Sequence, residues 1–123
     1  MSSEPKRLFR FGWYGDDGLG EKLIANILAG RKTATAAPSY DPEDGKVGEV
    51  LPLADKGGKV YGVVRITLVE YRPFGEFDEP LAAKLGAPLE QIRSLTSFAN
   101  SRPIRPEEEM RITHFELVSK KPA

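Results

Sequence analysis

The chain has 123 residues with 18 basic and 18 acidic side chains, one histidine and no cysteine. That length suits one core, and lack of cysteine excludes a disulfide framework, a thiolate metal site and a cysteine nucleophile. A zero net charge argues against a protein that coats duplexes through nonspecific phosphate contacts, while leaving room for a local basic cleft.

Residues 1–10 carry Lys6, Arg7 and Arg10 without a long apolar run, so they do not read as a signal peptide. No stretch approaches the ~18 apolar residues of a membrane helix. The expectation is a cytoplasmic domain spanning 1–123, with 1–6 and 120–123 as flexible tails.

Phe9, Phe11 and Trp13 alternate with Arg10 and Gly12, which predicts a first strand with Phe11 and Trp13 in the core. Gly15-Asp16-Asp17-Gly18 is a turn able to cap a helix. Leu19, Leu23, Ile24, Ile27 and Leu28 recur at helical spacing, and Gly30 stands where a helix ends. Thr33–Ala37 is β-compatible and stops at Pro38. The run from Ser39 to Lys46 is a polar loop; its Asp41-Pro42-Glu43-Asp44-Gly45 lacks the alternating ligands of a calcium loop. Residues 47–54 predict a short strand, with Pro52 favouring an edge.

Asp55-Lys56-Gly57-Gly58 is a hairpin turn. Val60–Tyr71 predicts the longest strand, with Val60, Val64, Ile66 and Leu68 on one face. Asp78 can cap a short helix over 81–85 closed by Gly86. Pro88 can open another, with Leu89, Ile92 and Leu95 on one side. Residues 110–119 predict the last strand. Together these elements predict an α+β fold, a small mixed β-barrel of five or six strands with two or three flanking helices.

The helix-glycine-basic-basic-threonine junction carries the most chemistry. Arg31 and Lys32 are presented where helix meets strand, beside the hydroxyls of Thr33 and Thr35. A cation beside a hydroxyl can hold a phosphate or carbonyl oxygen, or activate a nucleophile. The plainer reading is that cations at a helix C-terminus simply suit the dipole. Lys32 and Thr35 are three apart, so a flat strand would put them on opposite faces. They converge only if the chain bends or Lys32 still sits on the turn.

Gly30-Arg31-Lys32-Thr33-Ala34-Thr35 fits the pattern GxKxxT, and in this setting the chain resembles the ASCH family. The match extends through Val47-Gly48-Glu49-Val50, the strand Val60–Val69 and the closing stretch Arg111–Leu117. The resemblance implies a PUA-like β-barrel and RNA-related work. Relatives include RNA-binding modules, proposed nucleic-acid hydrolases and amidohydrolases that deacetylate acetylcytidine. In those amidohydrolases the motif lysine and threonine act with a downstream glutamate. Lys32 and Thr35 match the first two positions. The stretch Ala82–Pro88 holds no acid, so either Glu90 supplies the third from the next helix or it is missing.

As a base near neutrality Lys32 must lose about 3 pKa units, roughly 4 kcal/mol. Without a pocket that dries it, it stays an ammonium, suited to anchoring an anion. Further candidates are Tyr40 as a stacking partner, Arg65 in the long strand, and Arg102 and Arg105 for phosphates. His114 has no second histidine to make a zinc site. The leading expectation is a module binding RNA or a modified nucleoside in a basic cleft, through Arg31, Lys32, Thr33, Tyr40 and Arg65. The alternatives are an ASCH-type hydrolase using Lys32, Thr35 and Glu90, and a protein-protein adaptor. No cofactor, metal or membrane partner is expected.

Overall fold

A computed structural model describes residues 7–120; the predicted tail 1–6, and the predicted tail 120–123 apart from Lys120, lie outside them. The chain runs β1 (Phe9–Arg10), α1 (Leu19–Leu28), β2 (Ala34–Pro38), β3 (Val50–Ala54) and β4 (Val60–Pro73). A 3-10 turn at Phe74–Glu76 leads into α2 (Glu79–Leu85), α3 (Leu89–Asn100) and β5 (Glu109–Ser119). The strands form one curled sheet in the order β1-β3-β4-β5-β2, a barrel-like α+β fold with three helices. β1 pairs parallel with β3, and the other neighbours are antiparallel.

Local chemistry explains most of these bounds. Asp16 is buried and accepts the N–H groups of Trp13, Gly18 and Gly20. It thereby satisfies a donor in the first turn of α1 that no helix carbonyl can reach. Gly30 closes α1 at φ +79°, a conformation a side chain would disfavour. Asp78 caps α2 by accepting the Leu81 N–H at 3.0 Å, and Gly86 ends it, as predicted. Asp55 accepts from Gly57 and Lys59 and shapes the turn between β3 and β4. Pro52 lies where β3 lacks its β1 neighbour, because β1 reaches only Leu53 and Ala54.

The apolar side chains collect in two clusters. One joins α2 and α3 to Ala34, Met110 and Ile112. The other joins α1 to Phe9, Phe11, Leu53, Val64, Ile66 and Phe115. Two expectations fail here. Trp13 is not core: β1 ends at Arg10, and the indole is 38% exposed, resting against Phe98 with ring centroids 5.9 Å apart. Leu68 is not on the buried face with Val64 and Ile66; it is 50% exposed. Between Ile66, opposite Phe115, and Leu68, opposite His114, the ladder skips Thr67. That bulge moves every later side chain of β4 to the other face. Val69 consequently packs on the α1 cluster, and Glu70 meets His114.

Candidate functional site: the Lys32 cleft

The turn after α1 is held by one carbonyl. Asn26 O accepts the N–H groups of both Arg31 and Lys32, at 2.9 and 3.2 Å. Thr33 then ties the chain down, donating its N–H to Lys84 O and accepting from Phe115 N–H. β2 starts only at Ala34, so Lys32 belongs to the turn and not to the pleat. The alternation that would separate Lys32 from Thr35 does not apply, and both line one cleft.

Lys32 is 5% exposed. Its amine donates to Ala34 O at 2.7 Å and Leu85 O at 3.2 Å, with the Phe11 ring centroid 6.0 Å away. Burial pushes the amine pKa down to about 7, against a partial opposing pull from the Asp44 carboxylate. The cleft holds about 90 Å³. Leu19 and Leu23 of α1 wall one side; Ile92, Leu95, Thr96, Ala99 and Asn100 of α3 wall the other; Leu85 and Ala36 complete it. Apolar walls with a few polar groups are the usual make-up of a small-molecule site.

Several predicted partners stand elsewhere. Glu90 is exposed on the first turn of α3 and does not line the cleft. Arg31 turns outward, is exposed, and donates to Asn26 Oδ1, while Thr33 is exposed on the same outer side of the turn. Arg65 lies on the outer face of β4 and pairs with Glu116 at 2.7 Å. Tyr40 and Arg102 do meet, the tyrosine hydroxyl accepting from the guanidinium, but away from the cleft. Arg102 is also engaged by Glu108 at 2.6 Å, and Arg105 is exposed beside Glu107. The expected basic cleft is therefore a mostly apolar one with a single lysine, because the neighbouring cations face solvent and carboxylates.

Behind the cleft lies a polar group that sequence reading missed. Thr35 stands opposite Thr113 in the ladder, and Thr113 donates to Asp44 Oδ2 at 3.2 Å. Burial raises the Asp44 pKa, partly offset by the Thr113 hydroxyl and the Arg111 and Lys32 charges. Arg111 is buried and donates to the carbonyls of Asp41 and Pro42, fixing that loop. Thr96 and Asn100 were legible: with Ile92 and Leu95 they continue one helical stripe at spacings of three and four. Across β5, His114 Nε2 lies 2.6 Å from Glu70 Oε2, and Arg72 also bonds Glu70. Burial would raise the Glu70 pKa, yet the His114 and Arg72 contacts win and lower it. Among the described residues no group of three His, Asp or Glu could hold a metal ion, and no helix is long and apolar enough to cross a membrane.

The fold recurs in solved structures. An ASCH domain from Lactobacillus crispatus JV V101 matches with a TM-score of 0.71 at 20% identity, over 93% of this chain and 82% of that one. The chain has the ASCH-domain fold. A protein from Enterococcus faecalis V583, described by the family model DUF984, matches this ASCH fold with a TM-score of 0.70. It too is 20% identical, over 97% of this chain and 79% of that one. No protein-family model matches the chain, and no curated protein matches it significantly. The fold that the resemblance implied is thus the fold this chain shares with an ASCH domain.

Proposed function

We propose that this ASCH-fold chain binds a modified nucleoside, free or within RNA, in the cleft shared by Lys32 and Thr35. One observation carries the reading: a buried amine, bonded among the described residues only to main-chain carbonyls, borders a ring-sized apolar cleft beside a hydroxyl. Leu19, Leu23 and Leu95 would flank the faces of a base, while Lys32, Thr35 and Asn100 offer polar contacts to its edge. On this reading the chain is one domain working in the cytoplasm. Titration with acetylcytidine, cytidine, uridine and short RNAs tests it. Amide signals of residues 31–36 and of α3 should shift together, and Lys32→Ala should remove the response. An unchanged spectrum at millimolar nucleoside would end the proposal.

A second reading, amide hydrolysis, is favoured by the Lys32 pKa of about 7. A substantial neutral fraction at physiological pH lets the amine take a proton from Thr35 or from water. The activated oxygen attacks the acyl carbonyl, the amide C–N bond breaks, and the nucleoside amine leaves with a proton; where Thr35 is the attacker, water then hydrolyses the acyl-threonine ester and restores the hydroxyl. Acetylcytidine would give acetate and cytidine. Chromatography of such an incubation decides: turnover abolished by Lys32→Ala in a folded protein supports catalysis, and intact acetylcytidine leaves binding alone.

A further inference from the structure

β2 is an end strand, bonded on one side to β5. In an antiparallel ladder, alternate residues turn their N–H and C=O toward the partner. Phe115 N–H donates to Thr33 O at 3.0 Å and Ser39 N–H to Glu109 O at 3.1 Å, which sets the phase. Thr35 and Ala37 bond β5, so Ala34, Ala36 and Pro38 turn their main-chain groups to the free edge. Lys32 agrees with this phase, since its amine reaches Ala34 O from that side. The Ala34 carbonyl is thereby occupied. Pro38 has no N–H, and its carbonyl accepts from Asp41 N–H at 3.0 Å. Among the described residues nothing else bonds the Ala36 edge groups, so Ala36 alone of the three keeps both donor and acceptor for the edge, and it lines the cleft.

The geometry points to the Ala36 N–H and C=O as the base-reading edge of the cleft, selecting a pyrimidine ring that presents an acceptor beside an N–H donor. This rests on the nucleoside reading above and names what that site would recognise. A peptide strand is the other chemistry a sheet edge can take, but strand addition needs successive alternate residues. Here the flanking positions are used, and α1 and α3 wall the edge, so one donor–acceptor pair serves one small ring. Between apolar walls, a ring that leaves either group unpaired is strongly disfavoured. Uracil offers a carbonyl beside N3–H, and cytosine offers N3 beside its amino group; N3-methyluracil lacks the donor.

Ala36→Pro tests this directly. It deletes the N–H that points away from β5 and removes no ladder bond, the one phase at which a strand tolerates proline. Pro38 already occupies the same phase two residues on. Calorimetry with uridine and 3-methyluridine, alongside thermal melts, reads the outcome. Wild type should bind uridine at least about tenfold more tightly than 3-methyluridine. Ala36→Pro should weaken uridine binding by about the same factor. Equal binding of the two nucleosides by wild type, or undiminished uridine binding by folded Ala36→Pro, would overturn the inference and leave the nucleoside cleft standing. If wild type binds no nucleoside, the cleft reading falls and takes this one with it. Should Ala36→Pro not fold, the comparison of nucleosides on wild type decides.

Discussion

A charged lysine amine carries three protons and a neutral one carries two, and Lys32 meets two carbonyl oxygens. The neutral form can satisfy both acceptors and still hold a lone pair for the cleft. The charged form brings an ammonium into a nearly dry site where no carboxylate of the described residues forms a salt bridge with it. Burial therefore lowers the pKa from 10.5 to about 7. The consequence for stability has a definite sign. Between about pH 7 and 10.5 the unfolded chain holds a proton at this position that the folded chain has released. Stability from this group then rises with pH across that window and is flat outside it. Chemical denaturation of wild type and Lys32→Met at pH 6 and pH 10 should show a rise confined to wild type, of a few kcal/mol. A Lys32 Cε carbon signal that titrates above pH 9 would contradict the dry-amine description. Arg65 makes the opposite case. Its pair with Glu116 is half exposed on both sides, so Arg65→Ala should shift stability by no more than ~1 kcal/mol and leave nucleoside affinity unchanged.

At the scale of elements, α1 delivers the motif only because its start is fixed. A Cβ on Gly20 would come within 2.5 Å of Gly12 Cα and 2.9 Å of Phe11 O, both backbone atoms unable to yield cheaply. Alanine at an ordinary helix position gains about 1 kcal/mol over glycine, but here the clash outweighs it. Gly20→Ala should therefore lose about 1–3 kcal/mol in a denaturant melt; a gain would mean that α1 does not dock so closely. Asp16 belongs to the same docking. Burial acts to raise its pKa, but the bonds from Gly20, Lys56, Trp13 and Gly18 hold it down to about 2. Its contribution is present above the ordinary 3.8 and disappears as pH falls from there through about 2. The acid limb of a thermal-melt profile should flatten there in Asp16→Asn.

Features written in one local stretch were legible: Asp16, Gly30, Asp78 and Gly86 announce helix ends by their own chemistry. Other features arise only from pairing. The Thr67 bulge depends on how β4 meets β5, and period-two counting through it put Leu68 inside. Lys32 and Thr35 were readable as a motif, whereas the drying of Lys32 needed Leu85 and α3, residues more than fifty positions away. Asp44 reaches Thr113 across the fold, and no spacing rule could have joined them.

At the scale of the whole molecule, the cleft lies at the seam between the two apolar clusters. Leu19 and Leu23 come from the helix of one, and Leu85 and Ile92 belong to the other. The Trp13–Phe98 contact is a second tie between the α1 side and α3. A ligand seated there would touch both halves and add its binding energy to their association. With free nucleoside at about a hundred times its dissociation constant, mass action adds about 2.7 kcal/mol to unfolding. For a chain of this length that corresponds to a melting temperature higher by roughly 10 °C. Amide exchange should slow in α1 and α3 together, because opening either would have to release the ligand. The emission of Trp13, the one tryptophan in the chain, should report the same event from the seam. Protection confined to α3, with α1 exchanging at its ligand-free rate, would place the nucleoside on the outside of that helix and remove Lys32 from the site.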